Sequence, residues 1–136
     1  MPYLLDTNIV SELRKRKPHG AVLAWIDKIP EESLHVSAVT LGEIQAGIEI
    51  TREQDEAKAR EIEQWLDDIS GTYNVLSVDA SIFRRWAQLM HGRADHHLED
   101  ALIAATALVH DLTVATRNTD DFKPFGVKLI NPFEGK

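Results

Sequence analysis

Apolar and polar positions alternate along this chain in two rhythms: short apolar runs, and longer stretches of helical period. Tyr3, Leu4 and Leu5 open the chain as a run of strand length, and Asp6, Thr7 and Asn8 follow at once. So short an apolar run predicts a strand buried on both faces, as inside a parallel sheet. Ile9, Val10 and Leu13 then recur at helical spacing, with Thr7 or Asn8 as the expected N-cap. Pro18 is expected at the first position of a second helix, whose stripe is Val22, Leu23, Trp25, Ile26 and Ile29. Leu34, His35 and Val36 predict a second strand. Ser37 is its expected successor as the cap of a helix carrying Val39, Leu41, Glu43, Ile44 and Ile48.

Residues 51–70 are dense in charge and predict one amphipathic helix, with Trp65, Leu66 and Ile69 towards its end. Residues 73–78 predict a third strand. Asp79 then caps a helix bearing Ile82, Phe83, Trp86, Leu89 and Met90. After a polar loop at 92–97, small and aliphatic residues predict a helix from about Leu98 to His110. Residues 112–115 and 127–130 give the fourth and fifth strands, with a polar turn at 116–121 between them. Strands alternate with helices throughout, the pattern of an α/β protein with a mainly parallel sheet. No repeat, low-complexity segment or linker divides the chain, so residues 1–136 are expected to form one domain.

Composition narrows the chemistry. The chain has 136 residues, enough to bury a core, with 43% hydrophobic and 27% charged residues. It has no cysteine, which excludes disulfides, Cys-ligated zinc and a thiol nucleophile. No signal-type apolar stretch opens it and no run is long enough to span a bilayer, so a soluble cytoplasmic protein is expected. The net charge of −7 argues against holding nucleic acid through bulk positive charge. It leaves open a nuclease whose carboxylates are neutralised by metal.

Four polar positions fall at comparable places. Asp6 ends the first strand, and Glu43 lies in about the second turn of the helix after the second strand. Asp100 starts the helix that leads into the fourth strand, while Asn118, with Asp120 and Asp121 beside it, follows that strand. In a parallel sheet the strand ends and the starts of the following helices share one edge. Asp100 reaches that edge because its helix runs antiparallel to the strand it feeds. Gly47, four residues beyond Glu43, and Ala101, Ala104 and Ala105 around Asp100 leave room for an ion and a phosphate. Crowded acids without a cation raise one another's pKa values, and oxygen-only ligands favour Mg²⁺ or Mn²⁺ over zinc. Taken singly, each acid reads more readily as a helix cap or a solvated surface charge than as a metal ligand.

Residues 4–8, residues 37–43 with Gly47, residues 99–107 and residues 115–122 resemble, in order and spacing, the acidic blocks of the PIN-domain ribonucleases. The terminal Asn131, Pro132 and Phe133 are similar to the ending of VapC-type toxins of type II toxin–antitoxin systems, in the FitB-like branch. The resemblance implies a five-stranded parallel sheet sandwiched by helices and a Mg²⁺- or Mn²⁺-dependent endoribonuclease leaving 5′-phosphate and 3′-hydroxyl ends. It implies Asp6, Glu43 and Asp100 as metal ligands, and Thr7, Asn8 and Thr116 as hydrogen-bonders around them. Asn118 stands where many relatives carry a fourth Asp, so it is expected to orient a water, with Asp121 supplying charge from further out. An antitoxin partner, an RNA substrate such as tRNA or rRNA, and a homodimer are further implications. A PIN fold that serves only as a binding module is the alternative.

Other features have plainer readings. The basic run at residues 14–17 reads as a solvated helix end before an RNA contact. Arg117 is a candidate for a phosphate or antitoxin contact, and His96 and His97 read as loop residues near substrate. Trp25, Trp65 and Trp86 lie on apolar stripes and are expected in the core before base stacking, while the family resemblance implies that apolar surface on the Glu43 and Trp65 helices could instead take an antitoxin segment. A phosphatase of the haloacid dehalogenase type would need a second acid at Asn8, and a receiver domain would put its acceptor Asp where Asp79 follows the third strand.

Overall fold

A computed structural model describes residues 2–93 and 98–134. β1 (Tyr3–Leu5), β2 (Leu34–Ser37), β3 (Asn74–Leu76), β4 (Thr113–Ala115) and β5 (Leu129–Ile130) form one sheet in the order β3-β2-β1-β4-β5. Every pairing is parallel, with Leu4 opposite His35 on one side and Val114 on the other. β1 is therefore central, and its carboxyl end lies where the chain's path across the sheet reverses. Open α/β sheets bind ligands outside such a switch point.

The helices are α1 (Thr7–Arg14), α2 (Gly20–Asp27), α3 (Ala38–Arg52), α4 (Glu56–Thr72), α5 (Ala80–Met90), α6 (Leu98–His110) and the single turn α7 (Thr119–Phe122). Successive side chains of β1 point to opposite faces. Leu4 packs with Ala101, Ile103, Ala104 and Phe122 of α6 and α7. Leu5 packs with Ile9, Val22 and Trp25 of α1 and α2, and with Ile69 of α4. Both leucines are fully buried, each contributing roughly 1.5–3 kcal/mol. Helices thus cover both faces, as expected.

Local chemistry moves several boundaries. The cap of α1 is Asp6 itself, whose side chain accepts from Thr7 N, not Thr7 or Asn8. His19 caps α2, so Pro18 lies outside that helix instead of opening it. Ser37 and Asp79 cap α3 and α5 as expected, accepting from Val39 N and Ile82 N. The charged stretch at 51–70 is not one helix. α3 continues to Arg52, and α4 begins afresh at Glu56 under an Asp55 cap that accepts from Lys58 N at 3.0 Å. Arg52 ties the two helices by donating to Glu49, Glu56 and Glu63. The polar turn after β4 holds α7, and β3 is shorter than the apolar run that announced it. Among the described residues no helix is long and apolar enough to cross a membrane.

Candidate functional site

Asp6 leaves β1 at the sheet's carboxyl edge and is 7% exposed. Its Oδ1 accepts from Thr7 N at 2.8 Å, and its Oδ2 accepts from Thr116 Oγ1 at 2.8 Å and Asn8 Nδ2 at 3.2 Å. Asp6 N donates to Ala115 O at 2.9 Å, so the β1–β4 ladder holds the carboxylate against the residue after β4. Burial pushes the Asp6 carboxyl above its usual range. The bonds from Thr116 and Thr7 offset part of that, and the charge of Asp121 adds to it. Asp121 is therefore close enough to be felt. Asp120 is tied to Lys123 at 2.8 Å.

Thr7 carries the next link. Its Oγ1 donates to Glu43 Oε1 at 2.8 Å and lies 3.0 Å from Thr40 Oγ1. A hydroxyl has one proton, so the Thr40 hydroxyl is the donor to Thr7. Burial, followed by a carboxyl–carboxyl hydrogen bond with Glu99, pushes Glu43 up to about 7. The bond from Thr7 works in the other direction. Glu99 and Asp100 occupy the first turn of α6, so α6 delivers acids to the edge already holding Asp6 and Glu43.

Thr116 is the hub on the β4 side. Fully buried, its Oγ1 accepts from Asn118 N at 3.0 Å while donating to Asp6. Asn8 Oδ1 accepts from Arg117 N at 3.2 Å, fixing the loop from the other side. Asn118 stands at the cap position of α7 with no side-chain capping bond. The guanidinium of Arg117 lies 4.5 Å from the centroid of the Phe133 ring, which gives the expected phosphate or antitoxin contact an intramolecular partner. His96 and His97 fall outside the described residues.

Glu99 and Thr40 went unremarked as site residues in the sequence reading. Glu99 had one signal, its place beside Asp100 in the first turn of a helix. Thr40 had none beyond its proximity to Glu43. Asn8 donates to Asp6 as an amide, which is not the general acid a haloacid dehalogenase phosphatase needs. β3 is an edge strand, so Asp79 sits at the margin as a cap and not at the central position of a receiver's acceptor.

The donor set suits a hard divalent ion. The groups bonded to Asp6 and Glu43 are hydroxyls, amides and a carboxyl, and among the described residues no ion pair reaches either acid. Among the described residues no three acidic or histidine side chains close around a single point. That is compatible with Mg²⁺, which keeps several waters and takes one or two carboxylates directly.

The family model of the PIN domain matches residues 3–127. The VapC ribonuclease Y4jK of Sinorhizobium fredii is 38% identical, over 96% of this chain and 97% of its own. The crystal structure of FitAcB from Neisseria gonorrhoeae superposes with a TM-score of 0.85 at 32% identity, covering 96% of this chain and 98% of the other. A toxin–antitoxin complex from Klebsiella pneumoniae gives a TM-score of 0.72 at 28% identity, covering 96% and 97%.

Proposed function

The chain belongs to the PIN domain family, and from that premise we propose that it is a metal-dependent endoribonuclease acting as the toxin of a toxin–antitoxin pair. The observation that carries the reading is the meeting of Asp6, Glu43 and the first turn of α6 at one sheet edge, with no cation paired to Asp6 or Glu43 among the described residues. The Y4jK relative bears the name ribonuclease, and the Klebsiella neighbour is a toxin–antitoxin complex, which supports both halves of the proposal.

Asp6, Glu43 and Asp100 would hold Mg²⁺ or Mn²⁺. A bound ion of this kind supplies a water of lowered pKa and a counter-charge for the scissile phosphate. The chain's own residues do the positioning. Thr116, Thr7 and Asn8 fix both oxygens of Asp6, and Thr7 holds Glu43. Asn118, free of capping duty, is available to orient a water, and Asp121 adds negative charge that favours a cation. We read residues 1–136 as one such domain, cytoplasmic, bound by a cognate antitoxin protein and forming a homodimer.

Asn118 in place of a fourth acid favours the second reading, a catalytically weak PIN fold that works by binding alone. One experiment separates the two. Purified protein free of antitoxin is incubated with total cellular RNA in Mg²⁺, in Mn²⁺ and in chelator, beside Asp6→Asn and Asp100→Asn. Discrete metal-dependent cuts with 5′-phosphate ends, lost in both variants, are expected. No cut under either metal would leave the binding module.

A further inference from the structure

The acidic edge opens into a groove. A cavity of about 340 Å³ is lined by Thr7, Ser11 and Arg14 from α1, with Glu43 and Gly47 of α3 and Trp65 of α4 opposite. Thr7, Ser11 and Arg14 are spaced i, i+4, i+7, so they share one face of α1 and lead away from the carboxylates. A Cβ built on Gly47 would meet nothing within 4 Å, so the groove is open at that point. A second cavity of about 420 Å³ continues the path. Arg14 and Trp65 belong to both, and Arg16 and Lys58 join them.

The charge along this path is opposite to that of the whole chain. Residues 14–17 are all exposed. Lys15 is held by Glu12 at 2.9 Å, whereas Arg14, Arg16 and Lys17 make no ion pair among the described residues. Lys58 stands 3.5 Å from an exposed Glu61, a weak tie in water. Trp65 packs against the core as expected, remains half-buried, and borders both cavities. Exposed cations beside a partly exposed aromatic ring are what a single-stranded nucleic acid needs, the cations for its phosphates and the ring for a base.

We propose that Arg14, Arg16, Lys58 and the Trp65 ring form a docking track for single-stranded RNA, which leads the strand to the Asp6–Glu43 edge. The inference rests on the ribonuclease reading above and adds to it the route of the substrate. Arg14 is the junction. It lines the cavity that holds Glu43 and the one that holds Lys58, so a strand lying in both places one phosphate at Arg14 and the next stretch of backbone near the carboxylates. A cation at that junction also offsets the repulsion between the RNA and the acidic edge.

The test is binding of a fluorescent single-stranded RNA of about ten nucleotides to Asp6→Asn protein with Mg²⁺, across a salt series, with cutting by the parent chain measured alongside. Adding Arg14→Gln, Arg16→Gln and Lys58→Gln together should weaken binding at least ten-fold. It should also flatten the slope of log affinity against log salt by about 2, three phosphate contacts' worth. Trp65→Leu should cost roughly ten-fold, and Trp65→Phe, which keeps a stacking ring and the packing, should restore most of it. Lys28→Gln with Lys128→Gln, which remove exposed cations that line neither cavity, should bind as before. If the triple variant binds as tightly as that control, the track is overturned, while metal-dependent cutting by the parent would still uphold the ribonuclease. If Asp6→Asn protein binds no RNA, the track is overturned as well. Absence of cutting by the parent, in contrast, counts against the ribonuclease alone.

Discussion

Thr116 Oγ1 donates to Asp6 Oδ2 at 2.8 Å, joining residues at the carboxyl ends of the adjacent strands β4 and β1. The bond is buried, and the same oxygen accepts from Asn118 N at 3.0 Å. A single hydroxyl therefore fixes the central carboxylate and the start of the loop that carries Asn118 and Asp121. Thr116→Val keeps the shape and removes the donor and acceptor, leaving a buried carboxylate with one bond fewer. The expected cost is about 1–3 kcal/mol, read as a lower urea midpoint with unchanged slope. A midpoint equal to the parent's would mean that water replaces the hydroxyl without loss.

Asp6 and Glu43 are both carboxyls that burial pushes towards the neutral form. A divalent cation that binds only the folded chain should relieve this and stabilise it. At one hundred times its Kd such an ion adds about 2.7 kcal/mol. Thermal unfolding should therefore rise with Mg²⁺ or Mn²⁺ in the parent and stay flat in Asp6→Asn. An equal rise in both would place the ion away from Asp6.

Much of this site was legible because its signals are local. Asp6 follows a short apolar run that reads as an inner strand, and the Glu43 helix begins at a recognisable Ser37 cap. The convergence was legible because strand ends and helix starts share one edge in any parallel sheet, whereas the order that makes β1 central is not fixed by alternation. What stayed hidden depends on distance in the chain. Glu99 matters because its carboxyl meets Glu43 from another helix, which no periodicity in either helix encodes. The break between α3 and α4 was hidden for a different reason. Residues 53–55 contain neither Gly nor Pro, and the break is made by the Asp55 side chain capping Lys58 N, a choice invisible among so many acids. Trp65 packs against the core as its spacing implied yet stays half-buried, because helical spacing reports which stripe a ring lies on and not how much of it the neighbours cover.

Phe133 anchors the chain's last described turn, Pro132–Glu134, against the α2 face. His19 meets its ring edge-on at 5.1 Å between centroids, and Arg117 lies over it at 4.5 Å. Phe133→Ala should destabilise by about 1–3 kcal/mol through lost packing and ring contacts. Arg117→Ala should cost less, and in the Phe133→Ala background it should cost nothing further. Such a cycle isolates the pair. Additive losses would show that Arg117 acts elsewhere.

Glu12 joins the end of α1 to the start of α2. Its Oε2 accepts from His19 N at 2.9 Å, on the residue that caps α2, and its Oε1 accepts from Lys15 Nζ at 2.9 Å. The Lys15 hydrogen bond, then the His19 amide, hold its carboxyl below the ordinary value of 4.5. A group whose pKa is lowered by folding binds its proton more weakly in the native state. Its contribution is therefore complete above the unfolded value of 4.5 and is lost as pH falls through the lower native one. Glu12→Gln should cost about 1–2 kcal/mol at neutral pH, the scale of a charged hydrogen bond. In urea titrations at a series of pH values the gap between parent and variant should close below the unfolded value. A gap that stayed constant to strong acid would assign Glu12 to packing, and its charge to no structural purpose.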